Sequence, residues 1–183
     1  EEAARRGHDL AQAMVDYARG RVQEPAQADL AEVLGSVRIL LAGSVPRGVR
    51  LGFPTIESGL RVAVGATALQ QCLLNLCLNS LQAMEGQDAG SLSLAVDASD
   101  DLAGDFAGIE VRDTGCGIPP DVMARLFTPF FTTKAGGTGL GLLSCRRIME
   151  SAGGRLDIDR EPGEGTTMRL VLPLARDEAP APA

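Results

Sequence analysis

The chain has 183 residues, 45% of them hydrophobic, and a formal net charge of −7. That length suits one domain with an appended element, and that hydrophobic share can build a core. The acidic balance argues against a phosphate-backbone binder, no apolar run approaches the ~20 residues of a membrane span, and no signal peptide opens the sequence.

Residues 1–19 read as helix, with Ala3, Leu10, Met14 and Tyr17 near a 3-4 spacing that hints at a packing seam. Gly20 is a stop and "RVQEPAQ" a linker. Asp29 then reads as an N-cap with Glu32 three residues on, before an amphipathic helix of Leu30, Val33, Leu34, Val37, Leu40 and Leu41. "RGVRLGF" and "GLRVAVG" alternate in strand fashion, and a second long helix is expected from Thr67, capped with Gln70. "SLSLAVDAS" and "FAGIEVRD" are further strands joined by the acidic turn "DASDDLAGD". A short helix follows Pro119 and Pro120, residues suited to a first helical turn. "LGLLSCRRIMESAG" is a helix closed by glycine, and "RLDIDREPGEGTTMRLVLP" a strand hairpin around a Pro-Gly turn. Helices with mostly sequential strands predict a two-layer α/β sandwich, and the tail "ARDEAPAPA" reads as disordered. Cys72, Cys77, Cys116 and Cys145 show no zinc-type spacing; Cys72 and Cys77 fall inside an apolar helical pattern, and a reducing cytoplasm is the simplest compartment.

Three stretches carry chemistry. In "TALQQCLLNLCLNSLQAM", Leu69, Leu73, Leu76, Cys77, Ser80 and Met84 make a core face, while Gln71, Asn75, Asn79 and Gln82 line up on a second side. A solvated face is the bland reading of such a stripe. Exposed faces favour Lys, Glu and Arg, however, and two amides one turn apart suggest directional donors and acceptors. In "GIEVRDTGCGIPP", Asp113 leaves its strand on the side of Ile109 and Val111, so its charge heads for the core and needs a partner. Gly115 and Gly117 then let the backbone turn tightly and a ligand approach closely. The alternative is an aspartate that merely caps its own loop. In "LFTPFFTTKAGGTGLGL", three of the five phenylalanines (Phe127, Phe130 and Phe131) precede a glycine run. That run matches neither a P-loop nor a dinucleotide fingerprint; it is a glycine loop feeding a helix N-terminus, which offers N–H groups to phosphate.

Taken in order, "NLCLN", "DTGCGI" and "GGTGLGL", with the aromatic knot before the last and the "GEGTTM" turn near the end, resemble the ATP-binding catalytic domain of the sensor histidine kinases. That domain belongs to the superfamily of DNA gyrase, the heat-shock chaperone ATPase and the mismatch-repair ATPases, and the resemblance covers roughly Asp29 to Pro173. It implies an α+β fold, a mixed sheet packed on helices (the Bergerat ATP-binding fold), preceded by one helix. It also implies ATP and magnesium as cofactors. By the resemblance, Asp113 accepts a hydrogen bond from the adenine amino group, with Gly115, Gly117 and Ile118 in the adenine loop. A guanine would set a carbonyl oxygen against that carboxylate. Asn79 corresponds to the magnesium ligand, and one neutral amide needs phosphate and water oxygens to complete six. Gly136 and Gly137 would let the ATP lid move on a base pinned to the core by Phe127, Phe130 and Phe131. Thr138, Gly139, Leu140 and Gly141 would meet the phosphates, Lys134 would be the counter-charge, and Thr166 belongs to the last glycine-threonine signature.

Two positions depart from the family pattern. Many relatives carry a cation where this chain has Gln82, so phosphate charge leans on Lys134 and magnesium. The ATP-hydrolysing branches carry a glutamate as general base where this chain has Asn75, and an amide takes up no proton at neutral pH. The resemblance divides the chain into the end of a dimerisation helix (1–20), a linker (21–28), the ATP-binding domain (29–174) and a tail (175–183). The partners it implies are a histidine-containing dimerisation domain of the same homodimeric parent and a downstream response regulator, with no nucleic acid and no membrane contact. His8, the single histidine, has an adjacent carboxylate that could orient an acceptor ring. Its segment looks more like the end of a hairpin's second helix, which sets the acceptor outside this chain. A serine-directed kinase of the anti-sigma type and a regulatory module without phosphotransfer remain the alternatives.

Overall fold

The computed structural model describes residues 27–97, 105–134, 137–161 and 163–175. The predicted first helix, His8, most of the acidic turn and nearly all of the tail lie outside these residues. In chain order the elements are β1 (Ala28–Asp29), α1 (Leu30–Leu41), β2 (Val49–Gly52), β3 (Arg61–Val62), α2 (Ala66–Ala83), β4 (Gly90–Asp97), β5 (Phe106–Asp113), α3 (Pro120–Met123), α4 (Gly141–Ser151), β6 (Arg155–Glu161) and β7 (Gly165–Pro173).

A five-stranded mixed sheet runs in the order β2-β4-β5-β7-β6, with β2 parallel to β4 and the remaining neighbours antiparallel. Helices α1, α2 and α4 cover one face of it and share one core with it. The periodicities explain the layers. Leu30, Val33, Leu34, Val37 and Leu41 form the buried stripe of α1, and Leu69, Cys72, Leu73, Leu76, Cys77 and Leu81 that of α2. Ala107, Ile109 and Val111 of β5 and Met168, Leu170 and Leu172 of β7 answer them from the sheet. The opposite face is polar: Arg169 Nη2 donates to Asp97 Oδ2 at 3.0 Å, lying over Gly108, where a Cβ would meet its Nε at 2.7 Å. Such a sheet, covered on one side and charged on the other, is the two-layer α+β sandwich expected from the sequence.

Local expectations fared unevenly. Asp29 caps α1 through Oδ1, which accepts from Ala31 N at 2.9 Å, but its Oδ2 accepts from Gly59 N at 2.7 Å. That long-range bond ties the helix start to the turn before β3. Helix α2 starts at Ala66 behind Gly65, with no side-chain cap, so the expected Thr67–Gln70 pair is not the start signal. "GLRVAVG" gives only two strand residues, paired with β1 outside the main sheet, because Val62 bridges to Leu174 and Ala63 N then bonds Pro173 O.

Candidate functional site

Helix α2 crosses the inner face of β4 and β5, which brings its amide stripe level with the end of β5. Asp113 is the last residue of β5 and only 2% exposed. Its Oδ2 accepts from Ser80 Oγ at 2.7 Å and its Oδ1 from Gly115 N at 2.9 Å. The two sequence readings of this aspartate are therefore both realised: the carboxylate caps its own loop and also faces the helix layer. Ser80, read from its spacing as a core residue, is 1% exposed and supplies the α2 partner. A hydroxyl at an otherwise apolar position was the signal available for it.

The loop after Asp113 is held close to α2. A Cβ on Gly115 would meet Ala83 Cβ and Ala83 O at 2.8 Å, and Cys116 N donates to Ala83 O at 3.2 Å. Glycine is required there by close approach. Gly117 has φ +71°, which turns the chain toward half-buried Ile118. On the other side Asp113 pairs with Thr166, which is buried, and Gly165 (φ +104°) packs against the Asp113 carbonyl oxygen. Asp113, Ser80, Gly115 and Thr166 thus form one buried polar cluster.

A second cluster joins the lid to α2. Lys134 Nζ donates to Asn79 Oδ1 and to Gln82 Oε1, each at 2.7 Å. Burial pulls this ammonium below its ordinary value, against an opposing pull from Glu85. Gly137 N bonds back to Lys134 O at 3.2 Å, and Lys134 N to Thr132 Oγ1 at 3.1 Å, which fixes the root of the side chain. Beyond it, Leu140 N lies 3.4 Å from Thr138 Oγ1, and Leu140 is buried. Gly141 opens α4 against the middle of α2: a Cβ there would sit 3.7 Å from the Asn75 amide. Asn75 Nδ2 reaches Cys145 Sγ at 3.9 Å. The first turn of α4 has no side-chain cap, leaving its N–H groups to other acceptors.

The phenylalanines do not anchor the lid in the core as expected. Phe130 is 59% exposed with φ 64°, and Phe127 and Phe131 are half-buried. Arginines hold two rings instead: Arg146 of α4 stacks on Phe127 at 4.4 Å and Arg125 on Phe131 at 4.2 Å. The contact of Gly139 with the phenylalanine segment is made by backbone. Gly139 (φ +66°) lies so close to Phe130 and Phe131 that a Cβ would meet Phe131 N at 2.7 Å.

Among the described residues no cluster of three or more His, Cys, Asp or Glu could hold a metal ion, and no helix is long and apolar enough to cross a membrane. Asn79 Oδ1 nevertheless already faces a cation, the Lys134 ammonium, so it fits a single-amide share in a cation shell.

With this geometry, residues 65–176 match the family described as histidine kinase-, DNA gyrase B- and HSP90-like ATPase. The sensor kinase CckA of Brucella abortus (strain 2308) is 34% identical over 191 residues, an alignment covering 97% of this chain and 20% of that protein. This chain therefore spans about a fifth of that relative. Among solved structures, the catalytic domain of the histidine kinase ThkA superposes with a TM-score of 0.69 at 28% identity, covering 82% of this chain and 96% of that one. Full-length ShkA in complex with AMPPNP superposes with a TM-score of 0.77 at 27% identity, covering 94% of this chain and 36% of that one.

Proposed function

Because this chain belongs to the histidine kinase-, DNA gyrase B- and HSP90-like ATPase family, we propose that it binds ATP and serves as the phosphoryl-donating catalytic domain of a sensor histidine kinase. The observation that carries the reading is the buried Asp113 carboxylate, backed by Ser80 and Gly115 yet retaining acceptor capacity. An adenine amino group suits those free lone pairs, and a guanine carbonyl would be repelled. Gly115, Gly117 and Ile118 form the adenine loop, and Thr166 walls the carboxylate from the β7 side. Thr138, Gly139, Leu140 and Gly141, at the uncapped start of α4, offer N–H groups to the phosphates. Lys134 supplies positive charge beside them.

Asn79 is the metal-facing residue in this reading. Magnesium held there would neutralise triphosphate charge, with phosphate and water oxygens filling the rest of its shell. Asn75, one turn earlier, is an amide and accepts no proton, so no side chain at that position activates water for hydrolysis. The γ-phosphoryl group instead passes to an imidazole nitrogen: the bond to the bridging oxygen breaks, a phosphorus–nitrogen bond forms, and ADP departs. The acceptor histidine belongs to a dimerisation domain of a longer homodimeric parent, which then serves a response regulator in the cytoplasm. Incubating the parent with labelled ATP tests this directly. A label that is lost in acid and kept in alkali supports phosphohistidine; an acid-stable label supports a serine-directed kinase, and no label a non-catalytic module.

A further inference from the structure

Asn79 and Gln82 lie one turn apart on α2, and both amide oxygens take the same ammonium. Lys134 Nζ sits 2.7 Å from Asn79 Oδ1, 2.7 Å from Gln82 Oε1 and 3.4 Å from the Asn79 carbonyl oxygen. An ammonium has three donors, and here each faces a neutral oxygen of one helix. Glu85 and Asp113 act on this half-buried cation without bonding it, and neutral dipoles compensate it incompletely, so it can still take an anion. The bonds that fix its root, with Thr132 Oγ1 and Gly137 N, belong to the lid rather than to α2. A divalent cation and an ammonium cannot share Asn79 Oδ1, because like charges at contact distance repel strongly.

We propose that Gln82 is a positioning residue that keeps the Lys134 ammonium on α2 when a divalent cation takes Asn79 Oδ1, so that the lid delivers the positive charge that α2 itself lacks at position 82. The proposal rests on the ATP reading above. Without Gln82, an arriving metal leaves the ammonium only the more distant Asn79 carbonyl on α2, and the lid loses its polar tie there. With it, charge and lid dock together.

Calorimetric titration of this chain with ATP, with magnesium or with chelator, tests the idea. Gln82→Leu is expected to weaken binding about tenfold in magnesium, where Gln82 is the remaining side-chain acceptor, and about twofold in chelator, where Asn79 Oδ1 still serves. Equal losses in the two conditions, or none, overturn the proposal. Lys134→Gln is expected to cost about tenfold in the parent background but little in a Gln82→Lys background, where α2 carries its own cation. An undiminished cost there overturns it too, since a merely structural lysine would not be rescued by charge. In the ligand-free chain, where Asn79 Oδ1 still serves, hydrogen exchange at Lys134 and Gly137 is expected to speed up about twofold in Gln82→Leu and about tenfold when Asn79→Leu is added, while β5 stays protected, and unchanged exchange in the double variant overturns the proposal. If the unmodified chain binds no nucleotide, the ATP reading fails. The exchange comparison still decides whether Gln82 holds Lys134.

Discussion

Asp113→Asn separates the charge of the buried carboxylate from its shape. In the folded chain Oδ1 takes the Gly115 N–H at 2.9 Å and Oδ2 the Ser80 hydroxyl at 2.7 Å. An asparagine keeps the first bond through its carbonyl oxygen. It keeps the second by turning the Ser80 hydroxyl round to accept from the new amide. The fold should therefore survive, with a melting temperature shifted by only a few degrees, roughly the effect of 1 kcal/mol in a domain of this size. On the ATP reading proposed above, a bound adenine amine would fare worse, because it would meet an N–H₂ in place of a carboxylate oxygen. A hydrogen bond to a charged group contributes about 1.5–3 kcal/mol, and its loss weakens binding roughly ten- to hundredfold. Isothermal titration of ATP into both proteins reads this directly, with GTP as the control. The amide can donate to a guanine carbonyl, so the ratio of ATP to GTP affinity should shrink. An Asp113→Asn chain that unfolds normally, binds ATP as tightly as its parent and keeps the same preference would refute the adenine assignment.

Cys116 is the exposed thiol among the four, whereas burial pushes the Cys77 thiol up to about 12 and hydrogen bonding with Cys145, with burial, raises Cys72. Timed alkylation read by mass spectrometry should modify Cys116 first, and magnesium-ATP should slow it; labelling of Cys72 at an equal rate would contradict the loop placement. Asn75 in the base position predicts very slow steady-state phosphate release from this chain and no acid-labile label at His8; rapid release, or loss of a parent's label in His8→Ala, would count against these two points respectively. Asp29→Ala should cost about 1 kcal/mol of stability through the lost N-cap. The Gly59 N–H bonds the carboxylate and holds Asp29 below the ordinary carboxylate value, so the part of that contribution owed to ionisation is present above the ordinary value and fades as pH falls through the lowered one. A chemical-denaturation series showing equal loss at neutral and strongly acid pH would contradict it.

The legible parts of the fold were those in which each residue's neighbours lie along the chain. Strands β4 and β5 and the helices α1 and α4 follow from alternation or 3.6-residue spacing, since a half-buried element must repeat at its own period. The start of α2 was misread for a physical reason. A hydroxyl two residues further on looked like a cap, but glycine also serves as N-cap, and Gly65 does so here. The second predicted strand is cut to two residues, paired with β1 and touching the main sheet at the end of β7 through the Val62–Leu174 bridge. Nothing in "GLRVAVG" encodes which edge it will meet.

The candidate site divides along the same line. Asp113, Gly115 and Gly117 stood out because alternation and close backbone approach are local properties, and the structure indeed buries the carboxylate on the core side. The phenylalanines misled because their partners are not local. An aromatic cluster reads as core by composition, yet Arg125 and Arg146 can hold ring faces at the surface, and no spacing rule predicts a guanidinium over a ring. Ser80 was counted as part of an apolar face because its period was right, and only the arrival of Asp113 from another element gives the hydroxyl its purpose. The Lys134 contacts lie furthest from sequence reasoning. They join positions 55 and 52 residues apart, and one partner is a glutamine where a cation was expected. The missing charge at position 82 and the lid lysine looked like two separate irregularities in one dimension. In three dimensions each accounts for the other, since an amide oxygen at Gln82 is what a lysine arriving from the lid can use and a resident cation would repel.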